Sequence, residues 1–216
     1  MLRQQPQARV LAVNLPGHGG APGDLAGLTI EACVSSVVAQ VQAVGPERVV
    51  LVGHSMAGIT LPGVATRLGE ALVQHMVFVA CCVPAQGQCV LDTLHQPMAW
   101  IGKRAARRSP VSPPLPRSVA LWVFGNGLHR DQKRFLLSCL NAESTGVTLE
   151  PVDRSNLPPI ARSWVMPARD RAVSPAVQRQ FIQNLGGVGE VHEIDTCHDI
   201  MISEPDKLAA VLLRCA

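Results

Sequence analysis

Several features are scarce or missing in this sequence, and each absence narrows the field. No apolar run approaches the roughly 18 residues that a membrane-spanning helix needs. The opening MLRQQPQARVLAV has neither the longer apolar stretch nor the small-residue cleavage site of a secretory leader, so a cytoplasmic location is expected. Charged residues make up only 16% of the 216 positions against 47% hydrophobic, which excludes disordered and fibrous classes and fits one packed domain. The seven cysteines contain no CxxC pair and Cys81 adjoins Cys82, so buried thiols are expected in place of a disulfide framework. His192, Cys197 and His198 are the nearest thing to a metal set, but no fourth ligand is in sight, so neither metal nor cofactor is expected.

The formal net charge of +3 invites a nucleic-acid reading, yet five bases (Lys103, Arg104, Arg107, Arg108, Arg117) crowd into KRAARRSPVSPPLPR. Nineteen bases less those five leave 14 against 16 acids, so the rest of the chain is nearly neutral. A basic, proline-rich tract without aromatics reads first as a solvated loop, with an anionic-surface or docking segment as the sharper alternative. No nucleic-acid and no membrane partner is expected, and the oligomeric state is left open.

Two hydrophobic periods alternate along the chain. ARVLAVN (8–14) predicts a short buried strand closed by LPGHGG. Ile30, Cys33, Val34, Val37, Val38 and Val41 keep helical spacing behind Thr29 as N-cap. A strand over 47–53, a helix over 56–69 and a strand over 76–82 follow. Later come a strand over 163–167, a helix over 175–185, a strand over 189–194 and a helix over 204–214, with Ser203 and Asp206 resembling a capping box. Continuously apolar strands alternating with helices predict an α/β fold, a mostly parallel sheet covered on both faces. Residues 84–160, with helices expected near 90–105 and 130–140, are too long for a simple connection. They are expected to form a lid over a core of 1–83 and 161–216, walling an apolar pocket at the strand ends.

VVLVGHSMAGI places Ser55 where a strand must turn abruptly into a helix. That is a nucleophile elbow of the G-x-S-x-G kind, ending in Ala57 with Gly58 one place later. A serine hydroxyl needs a base, and the base needs a third group to hold it. His198 follows the strand at 189–194 and is the best base; His54 is expected to point away from the pocket of Ser55. Asp170 follows the strand at 163–167 and is preferred to Asp195 and Asp199, which lie too close to His198 on one loop. The order Ser, Asp, His is that of one fold.

With these segments in order, the sequence resembles the α/β-hydrolase superfamily, in particular its small-cap branch of plant hydroxynitrile lyases, methyl-ester esterases and bacterial relatives. RVLAVNLPGHGGAP, the elbow, MVFVACCVPAQGQCVLDTL and the Asp170 and His198 segments carry the likeness, which spans nearly the whole chain. The resemblance implies a serine hydrolase of small, apolar carboxylic esters, with the N–H of Met56 in the oxyanion hole. In that branch a second oxyanion N–H comes from a His-Gly loop after an earlier strand, for which nothing before residue 8 provides. An N-terminally shortened fold with turnover lowered about 100- to 1,000-fold is therefore expected. The lysine that follows the catalytic histidine in hydroxynitrile lyases is replaced by Asp199, which disfavours cyanide chemistry. The rival from another class is a non-catalytic small-molecule binder on the same scaffold.

Overall fold

The computed structural model describes residues 9–216. Thr29, in extended backbone, accepts from the Ala32 N–H through Oγ1 at 3.0 Å and starts α1 (Ile30–Val44), which ends where Gly45 takes a left-handed φ of 62°. β1 (Val49–His54) passes through a single 3₁₀ turn, Ser55–Ile59, into α2 (Leu61–Leu68). The expected helix from 56 is thus split, its first turn too tight for α geometry. β2 (Val73–Val79) begins and stops three residues before the predicted strand, since Ala80 already turns with φ 48°.

Residues 84–160 hold α3 (Met98–Arg108), β3 (Val111–Ser112), α4 (Arg117–Val123), α5 (Arg130–Ser138), β4 (Glu143–Ser144) and α6 (Gly146–Leu149). A 3₁₀ turn at Val90–Thr93 precedes α3, and Pro97 between them breaks the single helix expected there. The chain returns to the sheet with β5 (Ala161–Pro167), α7 (Pro175–Asn184) and β6 (Glu190–Ile194), then α8 (Ile200–Ser203) and α9 (Pro205–Arg214). Ser203 does not cap α9. Pro205 occupies the first turn, so the cap position falls on Glu204, while the Ser203 hydroxyl accepts from Thr196 Oγ1 at 2.6 Å.

The main sheet runs in the order β1-β2-β5-β6 with every pairing parallel; β3 and β4 form a separate antiparallel pair. Alternate side chains divide it into two packed faces. Met76, Phe78, Trp164 and Met166 meet Val34 and Val38 of α1, Leu61 and Val64 of α2, and Phe181 of α7. Val77, Val79, Val165 and Ile194 meet Ile200, Leu208 and Val211 from α8 and α9. Phe78 and Trp164, both fully buried, stack with centroids 5.8 Å apart on neighbouring strands. All seven cysteines are free thiols, and burial pushes Cys82 up to about 12 and Cys33 to about 11.

The strand expected over 8–14 does not form. Residue 8 lies outside the described residues, and 9–14 are irregular and largely exposed, with Val10, Leu11 and Val13 open to solvent. A strand exists only by pairing its backbone groups, and among the described residues β1 pairs with β2 alone. The segment is held to α1 instead: Asn14 N–H donates to Gln40 Oε1 at 3.1 Å, and Gln40 Nε2 donates to Asn14 O at 2.8 Å.

The turn after β1 lies hard against the end of β2. A Cβ on Gly58 would come 2.3 Å from Cys82 O and 2.9 Å from Cys81 Cβ. Backbone cannot yield as a side-chain tip can. Gly58→Ala is expected to lower the unfolding free energy by about 1–3 kcal/mol, read as an earlier urea midpoint.

Candidate active site

The reversal at the end of β1 places Ser55 in a conformation that L-residues avoid. Its φ is 52°, one of two positive values among the non-glycine residues described. The turn is pinned from below, since Cys82 N–H donates to Ser55 O at 2.9 Å and Cys81 Sγ lies 3.2 Å from Gly53 O. Ser55 and Met56 open the 3₁₀ turn, where N–H groups have no acceptor within the turn, and Met56 is exposed.

Two other loops are laced together beside it. Beyond β5, Ala168 N–H donates to Ile194 O at 2.8 Å and Arg169 N–H to Thr196 O at 2.9 Å, so the chain leaving β5 runs with the chain leaving β6. This register brings Asp170 Oδ2 to 2.7 Å from His198 Nδ1. Both side chains are buried, at 0% and 1% exposure. The carboxylate is filled on every side: Oδ1 accepts from Ala172 N–H at 2.7 Å and Val173 N–H at 2.9 Å, and Oδ2 also accepts from Gln178 Nε2 at 3.0 Å. Gln178 is itself held, accepting from Trp164 Nε1 at 2.9 Å and donating to Val173 O at 2.8 Å. With Nδ1–H committed to Asp170, the lone pair of His198 lies on Nε2, the tautomer that can take a proton.

The imidazole of His198 is clasped between two rings. His54 lies 4.6 Å away by centroids and Phe124, just past α4, lies 5.4 Å away. His54 therefore belongs to the site and does not turn away as expected. Its Nε2 stands 3.2 Å from His198 O, to which it donates. Burial, and next the neighbouring His198, lower its pKa from 6.5 to about 3, so it is a neutral spacer. Asp199 sits 3.8 Å from His54 Nε2, its pKa raised foremost by burial.

The structure thus joins Asp170 to His198 and sets the strained Ser55 directly after His54. Among the described residues Ser55 Oγ forms no hydrogen bond with His198. His192 lies on β6 against Glu190, and the ligand atoms that do gather, within 4.8 Å, are those of His54, His198 and Asp199. One nitrogen of each ring is taken up in a hydrogen bond, His198 Nδ1 with Asp170 and His54 Nε2 with His198 O. Clefts of about 200 and 550 Å³ lie away from Ser55, the larger at the opposite, N-terminal ends of β2, β5 and β6. Sequence reasoning missed Gln178, whose signal was a glutamine one turn from Phe181 on the apolar stripe of α7. It missed Trp164 as well, which no local pattern marks.

Two measurements probe this network. Gln178→Leu strands the buried Trp164 N–H and strips one donor from Asp170, and should lower the unfolding free energy by about 2–4 kcal/mol. The unfolded chain protonates His54 near 6.5, whereas the folded one resists down to about 3. This stability is complete above pH 6.5 and is lost as pH falls toward 3. The native protein should therefore lose about 1–2 kcal/mol between pH 7 and pH 5 through His54, a component that His54→Gln should remove in urea titrations at the two pH values.

Comparison with known proteins places this geometry. Norfluorocurarine synthase 2 of a Strychnos species is 25% identical over 241 aligned residues, covering 99% of this chain and 87% of that protein. An extracellular alpha/beta-hydrolase from a Paenibacillus species, described as sharing structural and functional homology with tobacco salicylic acid binding protein 2, superposes with a TM-score of 0.79 at 20% identity, covering 93% of this chain and 84% of that one. A polyneuridine aldehyde esterase mutant superposes at 0.75 and 17% identity, over 96% and 88% of the two chains. An Arabidopsis methylesterase gives 0.68 at 15% identity, over 93% and 83%. The alpha/beta hydrolase family profile matches residues 2–211, and this chain belongs to that family.

Proposed function

We propose that this hydrolase cleaves small carboxylic esters by way of an acyl-enzyme on Ser55. The observation that carries the reading is the buried 2.7 Å bond between His198 and Asp170, on loops leaving adjacent strands, beside a serine held at φ 52°. His198 Nε2 takes the Ser55 proton as Oγ attacks the ester carbonyl and then gives it to the departing alcohol. Asp170 fixes the imidazole and stabilises its cationic form. The Met56 N–H receives the oxyanion. Water, deprotonated by His198, then releases the acid and restores the serine. Residues 84–160 act as the lid, since Phe124 reaches His198 while Leu128 and Leu136 pack with Cys197 next to it. The ester-processing names among the structural relatives support the substrate class.

A second reading, a small-molecule binder on the same scaffold, is favoured by one observation, the missing hydrogen bond between Ser55 and His198. Catalytic hydrogen bonds often tighten only around substrate. The two readings separate cleanly in solution. A fluorophosphonate should label the protein at Ser55, and short-chain p-nitrophenyl esters should be turned over. Ser55→Ala should abolish both signals, and Asp170→Asn should cut turnover about 10³- to 10⁴-fold. A folded protein that takes no label at Ser55 is a binder.

A further inference from the structure

The outer face of α3 inverts the usual rule for a surface helix. Ala99, Gly102 and Ala106 face inward, whereas Met98, Trp100 and Ile101 stand 56%, 60% and 47% exposed on the opposite half. The helix buries its small residues and presents its large ones. One turn further along the same half come Arg104, Arg107 and Arg108, all exposed, with Arg104 resting over Trp100 at 5.8 Å. Lys103 faces inward and is paired with Asp92. Between Asp92 and Asp131 the chain has six basic residues and not one acid. α4, the next helix in sequence, also presents Val119 and a Trp122 that is 64% exposed, so two of the three tryptophans in the chain are held out to solvent.

We infer that this face of the lid docks on the surface of an anionic lipid bilayer, with Met98, Trp100 and Ile101 entering the headgroup boundary and Arg104, Arg107 and Arg108 meeting lipid phosphates. Tryptophan beside arginine, without acids, is the composition of an interfacial helix. α3 lies on the bilayer; among the described residues no helix is long and apolar enough to cross one. A second copy of the chain is a worse occupant, because a two-fold interface would set this arginine cluster against itself. The inference departs from the expectation of no membrane partner and takes up the anionic-surface alternative for the basic tract. It goes beyond the proposed hydrolysis and does not need it, so the test uses the Ser55→Ala protein.

Vesicles of phosphatidylcholine alone and of phosphatidylcholine with phosphatidylglycerol are the probes, read by co-sedimentation and tryptophan emission. The protein should bind the anionic vesicles, shift its emission to the blue, and release as salt is raised. Each basic residue near the surface is worth about a fivefold change in partition. Arg104→Glu/Arg107→Glu/Arg108→Glu should therefore weaken binding about 100-fold or more. Trp100→Ala/Ile101→Ala should weaken it too and remove most of the blue shift. All these positions are exposed, and unchanged thermal unfolding will show that the variants fold. Failure to bind anionic vesicles at low salt overturns the inference, as does binding that survives both sets of substitutions. So does a dimer in sedimentation equilibrium that Trp100→Ala dissolves, which would name a second copy as the occupant.

Discussion

The hydrogen bond between Asp170 and His198 is the constraint around which this molecule is arranged. A carboxylate with no exposed side-chain surface persists only if its oxygens are filled, and here two backbone N–H groups, an amide and an imidazole fill them. The amide belongs to Gln178 on α7, which is anchored in turn by the indole of Trp164 in the core of β5. Orientation of the imidazole therefore reaches back into the stacked Phe78–Trp164 pair and the apolar layer beneath it. Packing in the sheet and orientation of the imidazole at its rim are one continuous arrangement, which is why a residue as remote as Trp164 bears on how His198 is held.

The other face of the imidazole is governed by desolvation. His54 reaches it from the strand end that also presents Ser55, and Phe124 reaches it from the end of α4. A charged ring in the place of His54 would repel the imidazolium that the proposed acyl transfer forms on His198. Burial, which holds the pKa of His54 near 3, keeps that place neutral. The histidine inside the elbow thus supplies bulk and a hydrogen bond to His198 O without supplying charge.

Much of this was legible from residues alone, and the reasons are local. β1 and β5 announced themselves as apolar runs, and glycines around Ser55 marked the sharp turn. Asp170 and His198 were paired in expectation because each follows a strand directly, a placement that parallel topology converts into the observed 2.7 Å contact. The failures share a cause, which is that pairing is not written in the segment itself. ARVLAVN has the composition of a strand, but 9–14 have no ladder beside them among the described residues, and Asn14 is held by Gln40 of α1 instead. Ser203 has the chemistry of a cap but is displaced by Pro205. The bond of Gln178 to Asp170 depends on how α7 rolls against β5, and no spacing in the chain records that roll.

One small cluster joins the segment 84–160 to the loop after β6. Ala120 of α4, Leu128 and Leu136 of the following segment pack with Cys197, the residue before His198, and Phe124 joins them at the edge. Buried clusters of this kind shift as units, because close-packed side chains resist piecemeal displacement. Any force that moves α4 therefore acts on the loop that carries the imidazole, and on the gap between His198 and Ser55. Trp122, on the outer side of the same α4, rests under the guanidinium of Arg171 at 5.8 Å, next in sequence to Asp170. Through α4, the segment 84–160 thus touches both the loop that carries His198 and the loop that carries Asp170.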